Sequence, residues 1–233
     1  MMKMKMMTTK IIELSDVSKS YPNSESPVLK NVTLSVNAGD FIVIRGRSGI
    51  GKSTLLRIMG LLDSPSSGKV AIEGRDRKAI KDHSEIRLRK LGFVFQQFNL
   101  IPSLSNLENV ELPMELAGVG GSERRARAEA LLHSVELSPE KWTRYPGKIS
   151  VGEQQRVAIA RALANSPLAI LADEPTASLD EKTSDKVMEI LQEANRERKV
   201  ALVLTTTSLS EEYRYSTKEF VISDGVLSSF IIR

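Results

Sequence analysis

The sequence predicts an α/β protein with a mostly parallel sheet, an antiparallel β-subdomain toward the N-terminal side and an α-helical subdomain inserted in the middle. Three observations carry that prediction. Apolar strand-like runs alternate with helix-length amphipathic runs at 41–62 and again at 168–205. Residues 10–45 break into short strand-like runs with turn signals between them. Residues 97–165 read mostly as helix. Strands that alternate with helices form parallel sheets covered on both faces.

Taken in order, Ile11-Ile12-Glu13-Leu14, 28–36 and 41–44 read as strands, separated by turns at Pro22-Asn23-Ser24 and Asn37-Ala38-Gly39-Asp40. A helix follows at 54–62, with Leu55, Leu56, Ile58, Met59 and Leu62 on its apolar side. Ser64-Pro65-Ser66-Ser67-Gly68 is a turn, and 69–73 and 91–95 are strands. Ser105-Asn106-Leu107-Glu108 has the capping-box pattern that starts a helix. Gly118 and Gly120-Gly121 punctuate, and Ser122 is expected to cap a helix whose inner side holds Ala126, Ala130, Leu131 and Val135. A helix at 152–165 turns Val157, Ile159, Ala160 and Leu163 inward. Residues 168–172 form a buried strand, 181–198 a helix with Val187, Ile190, Leu191 and Ala194 inside, and 200–205 a strand. Two more strands, 219–223 and 226–232, flank the Asp224-Gly225 turn.

The 233 residues suit one large domain, read here as a single unit over 1–233 with the helical subdomain at about 97–165. Hydrophobic residues make up 41% and charged residues 27%, ordinary values for a globular chain. There is no cysteine, which excludes disulfides, thiolate catalysis and Cys-based metal sites. No apolar run approaches the roughly 20 residues that cross a bilayer, and residues 1–10 lack the apolar core and cleavage site of a signal peptide. Net charge is +4, and residues 75–90 hold seven basic against three acidic side chains. That segment reads as a solvated helix in preference to a patch for anionic lipid or nucleic acid, because its charges are interspersed. His83 and His133 read as surface residues.

Chemistry concentrates in Gly46-Arg47-Ser48-Gly49-Ile50-Gly51-Lys52-Ser53, a phosphate-loop pattern set between a strand and a helix that begins at Thr54. Glycines let successive N–H groups converge, and the helix N-terminus adds donors and partial positive charge. Lys52 would reach the β- and γ-phosphates and Ser53 would ligate Mg²⁺. A second apolar strand delivers Asp173 and Glu174 at its C-terminal end, the edge where ligands sit in open α/β sheets. Asp173 would hold Mg²⁺ through water, and Glu174 would polarise the attacking water.

At this point a family resemblance is plain. Leu171-Ala172-Asp173-Glu174-Pro175-Thr176-Ala177-Ser178-Leu179-Asp180 resembles the Walker B and D-loop run of ABC-transporter ATPase subunits. Ile149-Ser150-Val151-Gly152-Glu153-Gln154-Gln155-Arg156 resembles the signature motif, and the run from Gly92 through Gln96 to Leu100 resembles the Q-loop. The similarity runs in order from about residue 11 to 229 and is nearest to the lipoprotein-release and macrolide-efflux subfamily. It implies a P-loop NTPase core, ATP and Mg²⁺ as ligands, and hydrolysis of ATP. It also implies that Tyr21 stacks on adenine, that Gln96 touches Mg²⁺ and the attacking water, and that Ser150, Gly152 and Asp180 act across a head-to-tail dimer. The implied partners are a second ATPase subunit and a separate transmembrane permease, with the chain peripheral on the cytoplasmic face of the membrane and no nucleic acid bound.

Three positions depart from the family pattern. Val151 stands where a glycine is usual, and its β-branch limits backbone approach to phosphate. Glu153 stands for Gln and adds a negative charge near the nucleotide. Thr206 stands where the family places a histidine that contacts the γ-phosphate; it keeps a hydroxyl but is shorter and uncharged. These departures leave open a subunit that binds ATP with little hydrolysis of its own and a nucleotide sensor, and the basic segment at 75–90 leaves open an ATPase of this type outside transport.

Overall fold

The computed structural model describes residues 9–22, 26–208, 213 and 216–229. Asn23 and Ser24 of the first expected turn, 230–232 of the last expected strand and the first eight residues lie outside the described residues.

Two sheets form. The first is antiparallel, ordered β2-β1-β4-β5, from β1 (Lys10–Lys19), β2 (Leu29–Asn37), β4 (Ser67–Ile72) and β5 (Arg75–Asp76). β1 is longer than its apolar run predicts, because register shifts carry it past Asp16, whose φ is 51°. The second sheet is ordered β10-β9-β3-β8-β7-β6. Its strands β3 (Phe41–Arg45), β6 (Leu91–Val94), β7 (Ala169–Asp173), β8 (Ala201–Thr206) and β9 (Lys218–Ser223) are parallel; β10 (Val226–Ser229) alone is antiparallel. Alternate residues of β3 face opposite layers. Phe41 and Val43 pack with the helices α3 (Asn106–Leu116), α4 (Gly121–Ser134), α5 (Val151–Leu163) and α6 (Glu181–Arg198). Ile42 and Ile44 pack with α1 (Lys52–Met59) and the antiparallel sheet. That two-sided burial is why these strands read as unbroken apolar runs.

The helix-rich segment sits between β6 and β7, which pair directly with each other. Ser105 and Glu108 make the expected capping box at the start of α3. Helix α4 corrects its expected register. Gly120, not Ser122, is the N-cap, and the inward stripe is Ala128, Leu131, Leu132 and Val135, while Ala126 and Ala130 face solvent. Leu62 is corrected too: α1 ends at Met59, Leu61 takes φ 57°, and Leu62 is left on the surface. The basic segment holds α2 (His83–Lys90), a helix with no buried residue. Several of its charges are paired, Arg89 with Glu85 and Lys90 with Glu73. His133 is exposed and His83 half-buried, its Nε2 lying 2.9 Å from the Arg77 carbonyl. Among the described residues no helix is long and apolar enough to cross a membrane.

Arg45 is the most deeply buried charge among the described residues. Arg45, at the end of β3, bonds Glu219 Oε2 through Nε at 3.0 Å and Nη2 at 2.8 Å, and donates Nη1 to the Ser208 carbonyl at 2.8 Å. A buried ion pair is close to neutral against an apolar pair, but removing one partner strands the other charge. Arg45→Met is therefore expected to lower unfolding stability by about 3–5 kcal/mol, and Arg45→Met with Glu219→Leu to recover most of it, both read from urea unfolding midpoints.

Candidate nucleotide site

The site begins where β3 stops. Gly46 donates its N–H to the Thr206 carbonyl at 3.2 Å, which anchors the first residue of the loop to the end of β8. Gly51 takes φ 111°, and a Cβ there would lie 2.8 Å from Val28 Cγ1 and 3.0 Å from the Val28 carbonyl oxygen, so only glycine fits. Arg47, Ser48 and Gly49 are open to solvent, Ile50 is half-buried, and Ser53 and Thr54 follow on the first turn of α1. No side chain caps α1, so its N-terminal N–H groups take no bond from an N-cap side chain.

Lys52 is only 3% exposed. Its Nζ donates to the carbonyls of Gly46 at 2.8 Å and Arg47 at 3.0 Å, and sits 3.0 Å from Glu174 Oε1. The loop lysine and the acid after β7, 122 positions apart in sequence, thus meet at one point. The parallel register explains it: Arg45 lies opposite Thr206 and Asp173 opposite Thr205, so β3, β8 and β7 end in one row. Gln96 stands two residues beyond β6, exposed in a turn off the strand beside β7. Among the described residues no three metal-ligating side chains cluster. Asp173 and Ser53 are hard-oxygen donors, a set that suits Mg²⁺ held jointly with a substrate phosphate.

Tyr21 comes next to α1. Its hydroxyl donates to Asp63 Oδ2 at 2.9 Å and lies 3.5 Å from Thr54 Oγ1, while the Lys19 ammonium sits 4.7 Å from the ring centroid. The ring remains 39% exposed. Burial pushes the Asp63 carboxyl up, but hydrogen bonds from Lys19, Tyr21 and the Ser64 N–H outweigh it and hold the group below the usual aspartate range.

Ser150 and Asp180 are exposed at the starts of α5 and α6, and Gly152 is buried against Thr183. Ser150 caps α5 and Asp180 caps α6. A Cβ on Gly152 would stand 2.2 Å from Thr183 Cγ2, and the Thr183 hydroxyl donates to Asp180 Oδ2 at 2.7 Å. Helix α5 is also tied to the turn after Glu174, since Gln155 Nε2 donates to the Pro175 carbonyl at 2.7 Å.

The departures acquire physical meaning. Val151 is the first residue of α5, 45% exposed and not in the left-handed region, so its β-branch meets no backbone obstacle. Glu153 closes a capping box with Ser150 and pairs with Lys141 at 2.6 Å and Arg156 at 3.9 Å. Burial raises its carboxyl, and the bonds from Lys141 and Ser150 more than reverse this, so its charge is compensated locally. Thr206 is nearly buried and its Oγ1 accepts from the Ser208 N–H at 3.1 Å. With Glu174, Thr176, Glu181, Asp185 and Ser208 it lines a cavity of 480 Å³. Thr205, read from sequence only as the end of a strand, bonds both acids; a hydroxyl closing an otherwise apolar strand was the available signal.

Comparison with known proteins identifies the family and the fold. A profile of the family described as ABC transporter matches residues 29–177. The lipoprotein-releasing system ATP-binding protein LolD of Geobacter metallireducens is 48% identical over 200 residues, 84% of this chain and 88% of that one. The macrolide export ATP-binding/permease protein MacB of Syntrophobacter fumaroxidans is 45% identical over 84% of this chain, which spans 28% of that longer protein. The ATP-binding cassette MJ0796 of Methanocaldococcus jannaschii, solved as a dimer in a post-hydrolysis state with ADP and Pi, superposes with a TM-score of 0.86. The two are 42% identical, over 96% of this chain and 99% of that one.

Two outcomes follow. Gly152→Ala should displace Thr183 and cost about 1–3 kcal/mol, and Thr183→Ser, which removes the obstructing methyl, should restore the loss; thermal unfolding of the single and double variants checks this. Because the Asp63 value is depressed on folding, its contribution is complete above the usual aspartate range and fades as pH falls through the folded value. The stability gap between wild type and Asp63→Asn should therefore close on acidification below about pH 4, measured by urea unfolding across pH.

Proposed function

This chain belongs to the ABC transporter family, as an ATP-binding and ATP-hydrolysing cassette, and from that premise we propose which residues do the work and what partners they serve. The observation that carries the reading is the 3.0 Å contact between Lys52 and Glu174, with Asp173 beside them at the same sheet edge. Lys52 and the N–H groups of Arg47, Ser48, Gly49, Gly51, Ser53 and Thr54 hold the phosphates, while Gly46 and Ile50, whose N–H groups bond the Thr206 and Arg47 carbonyls, shape the loop around them. Tyr21 stacks on the adenine with the ring face left free by Lys19. Ser53, Asp173 and Gln96 hold Mg²⁺, which neutralises charge on the phosphates when bound. Glu174 orients and polarises the water, and Lys52 releases its carbonyl partners to reach phosphate oxygens.

Ser150, Gly152 and Asp180 do not serve the phosphate loop of their own chain. They complete the site of a second copy or a related subunit, so each nucleotide lies between two cassettes. The packing of Gly152 on Thr183, whose hydroxyl bonds Asp180, supports that role. The whole of 1–233 acts as one ATP-binding domain, with the helices between β6 and β7 as its partner-facing subdomain.

The partner on the membrane side is a permease: the MacB relative's name joins an ATP-binding part to a permease in one longer protein, and the LolD relative's name makes it the ATP-binding protein of a larger system. A 610 Å³ groove between α2, α3 and the turn after β6 suits a docking helix. Leu62, Leu88, Phe93, Phe95 and Leu116 line it, and Leu116 is 67% exposed. Docked there, the chain sits on the inner face of the membrane. The pairing of Arg89 with Glu85 and of Lys90 with Glu73 suits a solvated helix.

Hydrolysis is slow relative to a cassette with the histidine, because Thr206 is shorter than histidine and cannot carry charge. Glu174→Gln should cut phosphate release by about 10²-fold or more while Mg²⁺-ATP accumulates dimers in light scattering; a monomer under those conditions overturns the dimer site. Thr206→His should raise kcat by about 10- to 10³-fold, and no gain defeats the account of slow turnover.

A further inference from the structure

The geometry points to Thr205 as a positioning residue for ATP hydrolysis, one whose buried hydroxyl sets both acids at the end of β7. The inference rests on the roles proposed above for Asp173 and Glu174.

Thr205 is fully buried near the end of β8, after Ala201, Leu202, Val203 and Leu204. A hydroxyl in such a strand is costly unless bonded. This one makes two bonds to one neighbouring strand end. It donates to Asp173 Oδ1 at 2.7 Å and accepts from the Glu174 N–H at 3.1 Å. The directions are fixed by chemistry: an ionised carboxylate only accepts, and a backbone N–H only donates. The in-register pairing of Thr205 with Asp173 brings the groups together.

Each bond restrains a different acid. The first ties one oxygen of Asp173, which stops the carboxylate from rotating about its last torsion. The second holds the peptide of Glu174, a non-glycine residue at φ 46°. That left-handed conformation persists only where surroundings over-determine it, and the Thr205 bond is the side-chain contact on its amide. The backbone twist there turns the Glu174 side chain back to Lys52, 3.0 Å away. Without the hydroxyl, Asp173 can swing and the Glu174 turn can relax, so metal affinity and alignment of the water-polarising oxygen suffer together. The adjacent Thr206 hydroxyl is occupied differently, with the Ser208 N–H, and cannot substitute.

The test compares Thr205→Val, which keeps shape and removes the hydroxyl, with Thr205→Ser, which keeps it. Thr205→Val is expected to lower kcat about 10- to 100-fold and to raise the Mg²⁺ concentration for half-maximal rate by a similar factor, the usual effect of losing a carboxylate's supporting bond. ATP affinity in EDTA, read with a fluorescent ATP analogue, should stay at the wild-type value, while the tightening of binding by added Mg²⁺ should shrink. Thr205→Ser should recover most of the rate and the Mg²⁺ response. Wild-type kcat and Mg²⁺ response in Thr205→Val, or an equal loss in Thr205→Ser, overturns the inference. If Thr205→Val does not fold, Thr205→Cys, similar in size and a weak donor, must show the same weakened Mg²⁺ response, and a wild-type response overturns it. Glu174→Gln is run alongside. Wild-type turnover in that variant means the catalytic reading itself fails; loss there with an unimpaired Thr205→Val removes only the role of Thr205.

Discussion

The in-register parallel pairing of β3, β8 and β7 is the constraint on which the site depends. It lines up Arg45, Thr206, Thr205 and Asp173 at one edge of the sheet, and the loops that leave that edge carry the phosphate loop and Glu174. Parallel strands in register point their C-terminal ends the same way, so chemistry from distant sequence segments converges without a dedicated scaffold. Burial of both sheet faces holds the register, since a slip by one residue would turn Phe41 and Val43 into the layer that Ile42 and Ile44 occupy.

A second organising feature is the use of helix N-termini. Helix α1 starts without a side-chain cap, whereas Ser150 and Asp180 each close one N–H at the starts of α5 and α6. The difference separates the helix starts of one chain: that of α1, at Lys52, has no side-chain cap, while α5 and α6 are capped and packed together where Gly152 meets Thr183. Gln155, bonded to the Pro175 carbonyl, joins α5 to the turn beside Glu174. Movement of α5 relative to the sheet would therefore be felt at the acid, which is the mechanical link a nucleotide-driven subunit requires.

The departures from the family pattern are unequal in consequence. Val151 is absorbed because it begins a helix in ordinary right-handed geometry, and Glu153 because Lys141 and Arg156 offset its charge. Thr206 has no comparable compensation in reach or charge. Its carbonyl anchors Gly46 and its hydroxyl serves the local turn, so the position remains a backbone anchor for the phosphate loop.

By itself the sequence determined whatever depends on local geometry and pattern. It determined the strand–loop–helix at 41–59, the two acids closing an apolar strand, the capping box at Ser105 and the inward faces of α5 and α6, because period, capping chemistry and glycine placement act over a few residues. The Ala126 and Ala130 expectation failed because small residues of α4 carry too weak a pattern to fix its rotation, which packing of Leu131 and Leu132 sets instead. Only the tertiary structure decided that Lys52 meets Glu174, that Thr205 bonds Asp173 and Glu174, and that Gly152 seats on Thr183. Those contacts arise from strand register and helix docking between segments far apart in the chain, and no local periodicity encodes which ends will come to lie side by side.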